Sequence, residues 1–247
     1  MTCTPGIRAS LFVTCLVDQL FPNVGVATVN VLRRLGVDVA FPEEQTCCGQ
    51  LSINTGYQRE TRDLARRFLR TFEGAEYIVV PSSSCAGMIK RRYPQLFKDD
   101  PKLLELSNRV AGRLYELSQF LVDVLGVTDV GASYTGTVTY HPSCHGLREL
   151  KLDSQPQKLL QAVKGVRYVE LPDMTTCCGF GGTFSVKYHD ISEAIVEEKV
   201  DNVVKSGADT LVGVDMSCLM NIGGALSRRR KNVRVMHLAE LLDSREG

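Results

Sequence analysis

Long apolar runs and an excess of either charge are missing from this 247-residue chain, and each absence excludes a class of protein. No apolar run approaches the roughly 20 residues that a helix needs to cross a membrane. The first ten residues, MTCTPGIRAS, lack the apolar stretch of a secretory signal peptide. Lys and Arg number 29 and Asp and Glu 28, so the charge balance favours neither nucleic acid nor an anionic membrane as a partner. The sequence therefore predicts a cytoplasmic protein with reduced thiols.

Motifs for organic redox cofactors and for common thiol chemistry are missing as well. The stretch GFGG at residues 179–182 does not continue into the G-x-G-x-x-G pattern of dinucleotide-binding proteins. No two cysteines have the C-x-x-C spacing of thiol oxidoreductases, and there is no ferredoxin-type C-x₂-C-x₂-C-x₃-C segment. The sequence thus predicts neither a flavin nor a nicotinamide site.

Cysteine, in contrast, is present in an unusual arrangement. Four of the nine cysteines form two CCG triplets, Cys47–Cys48–Gly49 and Cys177–Cys178–Gly179. A shuffled chain of this composition would hold only about 0.3 adjacent cysteine pairs. Neighbouring cysteines are poorly placed to bridge each other, and clustered cysteines in a reducing compartment are more often metal ligands or redox catalysts. The two triplets therefore indicate a chemical role.

The triplets belong to an internal repeat. In each half, an apolar strand leads to a cysteine, a helix and a second strand lead to the triplet, and a longer helix and a third strand lead to a last cysteine. The strands read RASLF, VDVAFP and AEYIVV in the first half, and GTVTYH, VRYVELP and ADTLVGV in the second. This order predicts an α/β fold of two tandem Rossmann-like βαβαβ repeats with small parallel sheets.

Further helices and a boundary complete the predicted organisation. Residues 99–126 and 235–244 predict a tail helix after each repeat. The stretch at 127–136 predicts a boundary between a first repeat at 1–130 and a second at 131–247. The longer helix of each repeat, at 57–74 and 190–207, is expected to bury one apolar face, formed by Leu64, Ala65, Phe68, Leu69 and Phe72 in the first and by Ile191, Ile195, Val200, Val203 and Val204 in the second.

Eight of the nine cysteines share one register. Between the first cysteine and the triplet lie 31 residues in the first half and 32 in the second, and between the triplet and the last cysteine lie 36 and 39. Because parallel strands end at one edge of a sheet, the loops after the three strands should bring the thiols of each half together. The predicted sites are Cys15, Cys47, Cys48 and Cys85 in the first half, and Cys144, Cys177, Cys178 and Cys218 in the second.

Four thiols in each half leave three chemical interpretations open. Zinc accepts four thiolates, but structural zinc sites usually take them from short C-x₂₋₄-C knuckles. A thiol redox centre would use the adjacent pairs but would leave the other cysteines unexplained. An iron–sulfur cluster needs four thiolates with backbone N–H groups near sulfur, and the loops CCGFGGTF and PSSSCAG are rich in the small residues that allow this.

The triplets, the segment PSSSCAGM and the segment HLAELL after the last motif resemble the CCG, or cysteine-rich, domain family. The resemblance spans nearly the whole chain. Its stand-alone two-repeat form is similar to the lactate utilization protein A family, and it is related to the CCG-containing subunit of heterodisulfide reductase and to the iron–sulfur subunit of glycolate oxidase. The resemblance implies an iron–sulfur electron-transfer subunit, with one or two clusters of the [4Fe-4S] kind, in a system that oxidises L-lactate. It also implies partner subunits that carry clusters of their own.

The sequence departs from heterodisulfide reductase at one position in each half. There the family motif ends in C-x-x-C and five cysteines hold a noncubane cluster, whereas this chain has Met88 and Asn221 at the last position. Ligation by five thiolates is therefore excluded in both halves. A thiol-active catalytic subunit and a zinc-stabilised interaction module remain as alternative functions.

The remaining candidates carry less weight. Cys3 lies outside the register and is expected to be an incidental thiol. His145 follows Cys144 directly, so it is a candidate to ligate or hydrogen-bond a cluster, and His141, His189 and His237 are weaker candidates. The basic clusters at 90–92 and 228–231 are expected to be solvated helix ends, with docking of an acidic partner as the alternative.

Overall fold

The computed structural model describes residues 6–152 and 154–245, which form two α/β halves with one parallel sheet each. Each sheet has four strands. Those of the first half are β1 Arg8–Leu11, β2 Asp38–Ala40, β3 Tyr77–Val80 and β4 Leu114–Glu116. Those of the second half are β5 Ser133–His141, β6 Lys164–Tyr168, β7 Thr210–Gly213 and β8 Arg234–His237.

Both sheets have the same strand order. It is β2-β1-β3-β4 in the first half and β6-β5-β7-β8 in the second, and all pairings are parallel. The inner strands β3 and β7 read YIVV and TLVG and are almost wholly buried, as expected for strands covered on both faces. The strand order reverses between β1 and β3, and between β5 and β7. Such reversal points open a crevice at the carboxyl edge of a parallel sheet.

Thirteen helices and three π-helical turns are found within the described residues. The helices of the first half are α1 Cys15–Leu20, α2 Pro22–Arg34, α3 Gln50–Asn54, α4 Gln58–Phe72, α5 Ser83–Gly87, α6 Tyr93–Leu96, α7 Pro101–Gly112 and α8 Leu117–Gln119. Those of the second half are α9 Gln155–Ala162, α10 Phe184–Lys187, α11 His189–Lys205, α12 Met216–Arg228 and α13 Leu238–Asp243. The π-helical turns are Met88–Arg92, Phe120–Val124 and Gly146–Leu150. No described helix is both long and apolar enough to cross a membrane.

Each half contains a fourth strand within the segment predicted to be a tail helix. The first tail segment forms α7, then β4 and α8, and the second forms β8 and then α13. The two additional strands have three and four residues. Their apolar positions fit the helical period as well as the strand period, so the sequence pattern alone does not distinguish a strand from a helix in these segments. The predicted α/β fold with small parallel sheets is confirmed, and each sheet is one strand wider than predicted.

The buried face of the longer helix agrees with prediction in the first half and differs in the second. Most of the predicted face of α4 is buried. In α11, however, Ile191 and Val204 are exposed, whereas Lys199 and Asn202 are buried. The prediction for these positions of α11 is wrong because it assigned the core side by apolarity alone, and two polar residues occupy that side.

The halves pack against each other through helices and turns from both. Helix α2 lies against α13, where Arg34 Nη2 is 2.5 Å from a carboxylate oxygen of Asp243 and Arg34 Nη1 donates to the carbonyl of Leu242 at 2.9 Å. Helix α5 lies against the π-helical turn Gly146–Leu150 of the other half. A Cβ atom on Gly87 of α5 would come within 2.6 Å of Glu149 Oε2, so glycine permits this approach.

Candidate metal centre

Every cysteine of the predicted register follows the carboxyl end of a strand. Cys15 begins α1 after β1, the pair Cys47–Cys48 lies in the loop between β2 and α3, and Cys85 lies in α5 after β3. The second half repeats this placement after β5, β6 and β7 with Cys144, Cys177–Cys178 and Cys218. All eight are free thiols. The topology thus gathers four thiols at one edge of each sheet, as the sequence register predicts.

In the first half the four sulfurs form a continuous series of contacts, called here the first thiol set: Cys15, Cys47, Cys48 and Cys85. Cys15 and Cys48 both hydrogen-bond to Cys47, and the Sγ atoms of Cys48 and Cys85 are 3.3 Å apart. Cys48 and Cys85 are buried, whereas Cys15 and Cys47 are half-buried. Two sulfurs are therefore embedded in the protein and two lie nearer its surface.

The second thiol set, Cys144, Cys177, Cys178 and Cys218, has the same arrangement. Cys144 and Cys178 hydrogen-bond to Cys177, and the Sγ atoms of Cys178 and Cys218 are 3.0 Å apart. Cys178 and Cys218 are buried, Cys144 is half-buried and Cys177 is exposed.

Glycine ends each triplet because the backbone adopts a left-handed conformation there. The φ angles of Gly49 and Gly179 are +82° and +79°. A Cβ atom on Gly179 would also lie 2.6 Å from the carbonyl oxygen of Ser192, so a larger residue would displace the backbone. In this turn the N–H of Gly49 points to Cys47 Sγ and that of Gly179 to Cys177 Sγ, each at 3.4 Å. Each triplet thus supplies two thiols and an amide donor to sulfur.

The first cysteine of each triplet is the favoured position for negative charge. Hydrogen bonds from Cys15 and Cys48 lower the pKa of Cys47 to about 2, although burial opposes this, and the N–H of Gly49 helps. The two neighbouring thiols of Cys177 lower its pKa to about 2 in the same way. The same hydrogen bonds, together with burial, raise the pKa of the donating thiols. A metal that binds all four thiolates of a set must therefore release protons as it binds.

Both thiol sets line one cavity. The cavity has a volume of about 170 Å³ and lies between the halves, with all eight cysteines of the register in its wall. Small residues from both halves complete the lining, among them Ser84, Ser143, Gly181 and Gly182. The sequence predicts the four thiols of each half, but it carries no signal for how the halves face each other. In the structure the two sets open into the same space.

A buried carboxylate, Asp215, connects the helices on either side of this cavity. Its Oδ1 accepts from the N–H and hydroxyl of Ser217 in α12, at 3.2 and 2.5 Å. Its Oδ2 accepts from the N–H of Ser84 at 2.7 Å and from the hydroxyls of Ser82 and Ser83 at 3.2 Å, all at the start of α5. Burial disfavours the charged form of Asp215, but the hydrogen bonds from Ser217 and Ser84 outweigh it and lower the pKa. One carboxylate therefore caps a cysteine-bearing helix in each half.

His141 lies beside the second thiol set. A ring nitrogen lies within 4.8 Å of the sulfurs of Cys178 and Cys218, and neither nitrogen has a hydrogen-bond partner among the described residues. The ring is almost completely buried. Burial, and then the ammonium of Lys199, lower the pKa of His141 to about 3, so the ring is neutral. A neutral imidazole can donate a hydrogen bond to sulfur or ligate a metal.

Met88 and Asn221, at the positions that would hold a fifth cysteine, make other contacts. Met88 is buried in the hydrophobic core. Asn221 Nδ2 donates to the carbonyl of Cys178 at 2.7 Å, and in the first half the hydroxyl of Tyr93 donates to the carbonyl of Cys48 at 2.9 Å. Both triplet loops are therefore fixed by a side chain bonded to the backbone of the second cysteine.

The other histidines differ in their surroundings. His145 lines the cavity, and its Nε2 is 2.9 Å from Gln50 Nε2 of the first half. His237 is buried and caps α13, and His189 is exposed near Glu193. Cys3 lies outside the described residues.

The two basic clusters make contacts within the chain. Lys90 donates to two main-chain carbonyls, and Arg91 and Arg92 both reach Glu149 across the boundary between the halves. Arg229 pairs with two carboxylates of α11, at 3.0 and 2.7 Å. These contacts connect helices of the same protein, and docking of an acidic partner stays a prediction.

Two polar residues near the thiols are missing from the sequence-based prediction, although each has a signal in the sequence. Asp215 stands three residues before Cys218, as Ser82 stands three before Cys85, and both are typical N-cap residues at the start of a helix. Lys199 interrupts the apolar face of α11. A comparison of the two halves position by position would have identified both.

Comparison with known proteins identifies relatives over the full length. A family model for the cysteine-rich domain, CCG, matches residues 9–90 and 138–223. The chain is 55% identical over 239 residues to lactate utilization protein A of Bacillus cytotoxicus, with 97% of this chain and 100% of the relative covered. The protein of the same name from Bacillus subtilis is 53% identical with the same coverage.

Similarity to solved structures is weak. Glutamate racemase of Francisella tularensis in complex with D-glutamate aligns with a TM-score of 0.38 and 10% identity, over 96% of this chain and 78% of the racemase. A similarity at this level supports no conclusion about function.

Proposed function

The chain belongs to the CCG cysteine-rich domain family and, within it, to the lactate utilization protein A proteins. From this membership we propose that it is an iron–sulfur electron-transfer subunit of a system that oxidises L-lactate. The name of the relatives supports the link to lactate. The arrangement of thiols supports the cofactor.

The observation that carries the proposal is the pair of thiol sets in one cavity. Each set offers four sulfurs linked by a continuous series of contacts, and four is the number that an iron–sulfur cluster requires. The N–H groups of Gly49 and Gly179 are directed at sulfur, and such hydrogen bonds stabilise the negative charge of a cluster. The embedded sulfurs at Cys48, Cys85 and their counterparts are shielded from water. The residues present therefore fit the group.

In this proposal each thiol set is a binding site for one [4Fe-4S] cluster, and one or both sites are occupied. The cluster supplies transfer of one electron at a time. The protein's own contribution is to hold the thiolates, exclude water and present amide donors. Met88 lies in the core and Asn221 bonds to the backbone, so neither position supplies a fifth thiolate.

The proposal extends to the organisation and setting of the chain. Residues 1–130 and 131–247 act as two repeats, a division supported by the fact that each sheet draws its strands from one side of this boundary. The protein works in the cytoplasm, where thiols stay reduced. It exchanges electrons with partner subunits that carry clusters of their own, and no nucleic acid is involved.

Metal and acid-labile sulfide analysis of anaerobically purified protein tests this function. The expected protein is brown and contains about four iron and four sulfide per occupied set, hence about four to eight iron atoms per chain. Zinc in stoichiometric amount without sulfide would contradict the proposal and favour a zinc-stabilised module instead. Preparation without oxygen is necessary because half-exposed thiols such as Cys15 and Cys47 leave metal open to oxidation.

A further inference from the structure

Different side chains lie beside the two thiol sets, although the two halves share one topology. Phe12 precedes Cys15 by three residues, and His141 precedes Cys144 by three residues. Both follow or end the first strand of their sheet, and both are buried. The first half therefore has a phenyl ring where the second half has an imidazole.

At a second pair of equivalent positions, the first half again has an aromatic residue and the second half a polar one. Phe68 lies 11 residues after Tyr57, which precedes α4, and Lys199 lies 11 residues after Tyr188, which precedes α11. Phe68 packs on Phe12 with 4.9 Å between ring centroids. Lys199 interacts electrostatically with His141 in the second half. An aromatic pair in one half thus corresponds to a polar pair in the other.

The polar pair places positive charge near the second thiol set. Lys199 is fully buried, and its Nζ donates to the carbonyls of Asp173 and Met174 at 3.2 and 3.1 Å, in the loop that precedes the second triplet. Burial lowers the pKa of Lys199, and the thiolates of Cys178, Cys144 and Cys177 act against that shift because they attract the ammonium.

Other charged groups also act on the two sets, and the carboxylate of Asp173 interacts with the ammonium of Lys199. Arg148 also lies on the side of the second set and stabilises the thiolate of Cys144. Asp215 bonds to helices of both halves, so its negative charge acts on both sets. The largest influences on the thiols of the first set are those of its own cysteines, burial and backbone N–H groups.

We propose that the two sites are electronically unequal and that the second thiol set accepts an electron more readily, because His141 and Lys199 replace Phe12 and Phe68 beside it. The inference rests on the proposed function. An added electron increases the negative charge at the sulfurs. A buried ammonium and an imidazole ring within 4.8 Å of the sulfurs of Cys178 and Cys218 stabilise that charge, and phenyl rings do not. His141 and Lys199 are thus positioning and tuning residues for the second site.

Redox titration of the full-length, iron-loaded protein, followed by electron paramagnetic resonance, tests this inference. Two one-electron transitions are expected in the unaltered protein. Cys48→Ser, which removes a ligand of the first set, should abolish the transition at lower potential. Lys199→Met should lower the reduction potential of the second site. At a fixed solution potential, the ratio of reduced to oxidised second site should fall about tenfold, which corresponds to about 59 mV for a one-electron couple. His141→Phe should lower the same potential.

Lys205→Met is the matched control, because it makes the same change at an exposed position of α11 and should leave both potentials unchanged. Lys199→Arg, which keeps the charge, should also preserve them. Unchanged potentials in both Lys199→Met and His141→Phe would overturn the inference while leaving the proposed function intact. If Lys199→Met loses its iron, His141→Phe decides alone. A protein without iron and sulfide would overturn the function and the inference together.

Discussion

At the scale of single residues, the two adjacent cysteines of each triplet have different tasks. The first accepts hydrogen bonds from neighbouring thiols, which lower its pKa, as at Cys47 and Cys177. The second is buried against the last cysteine of its set, as Cys48 and Cys178 are. The two adjacent cysteines contact different further cysteines of the same set. A contiguous pair can therefore serve a single site.

Substitution of the buried cysteine should therefore affect one half only. Cys48→Ser or Cys178→Ser is expected to reduce iron from about eight to about four atoms per chain when both sets are occupied, and to lower stability, because metal binding contributes to folding. Iron analysis and thermal unfolding measure both effects. Cys3→Ser serves as the control and should change neither; equal iron loss in all three variants would contradict the register.

Glu116, the last residue of β4, should make stability depend on pH. Burial raises its pKa to about 7, although Ser118 donates two hydrogen bonds to its Oε2. The folded protein thus binds this proton more tightly than the unfolded chain, so this carboxyl lowers stability as pH rises from about 4.5 to above 7. Glu116→Gln removes the ionisation and keeps an oxygen acceptor for Ser118.

The unfolding temperature of Glu116→Gln should rise relative to that of the unaltered protein between pH 5 and pH 8, by an amount equivalent to about 3 kcal/mol at most. Glu76→Gln, at an exposed carboxyl, is the control and should show no such trend. A constant difference between Glu116→Gln and the unaltered protein across this pH range would mean that Glu116 does not titrate as inferred.

At the scale of secondary-structure elements, the cavity depends on how α5 and α12 begin. Both helices carry a cysteine in their first turn or just beyond it, and Asp215 accepts hydrogen bonds at the start of both. Ser82, the equivalent residue in the first half, accepts a hydrogen bond at its hydroxyl oxygen from the N–H of Cys85 at 3.3 Å. The orientation of one cysteine helix is therefore tied to that of the other.

Asp215→Asn is expected to weaken both sites at once. An amide offers one oxygen where the carboxylate offers two, so several buried donors lose their acceptor, at a cost of about 2 to 4 kcal/mol in the free energy of unfolding. Iron should leave both thiol sets faster in the presence of a chelator. Asp209→Asn, at an exposed carboxylate that caps the opposite end of β7, is the control. Loss confined to the second set would show that Asp215 acts only on its own helix.

The sequence predicts the elements well and the contacts between halves poorly. The register of Cys15, the triplets and Cys85 is local, because each cysteine follows a strand that reads as apolar. The sequence does not predict the strands β4 and β8, because they are short and embedded in helical patterns. The shared cavity and the bonds of Asp215 to the first half depend on contacts between residues more than 100 positions apart, such as Ser84 and Asp215, and no periodicity within one half encodes them.

At the scale of the whole molecule, the two repeats face each other across the cavity and form one space with eight thiols. No sequence pattern for an organic cofactor that takes up two electrons is present. We therefore expect the isolated protein to show negligible lactate dehydrogenase activity with nicotinamide acceptors, and activity to appear only when cluster-bearing partner subunits are added. If the basic clusters contribute to docking, the association should weaken with added salt.

Lactate oxidation assays with the protein alone, the partners alone and the reconstituted mixture measure this dependence. Robust turnover by the isolated chain with an artificial electron acceptor would contradict the relay role and would place a catalytic site in this polypeptide, beside His145 in the cavity wall.

The wall shared by both halves also has a consequence for synthesis on the ribosome. When Cys85 has been translated, the residues that close the cavity on the other side, including Ser143, Cys177 and Asp215, have not yet been made. At about 5 to 20 residues per second, the chain needs on the order of ten seconds to reach them. Until then the first thiol set lacks the residues of the second half that line the cavity beside it in the finished protein. If the set binds iron as proposed, both iron and oxidants have access from that side, and the rate of translation sets how long this access lasts.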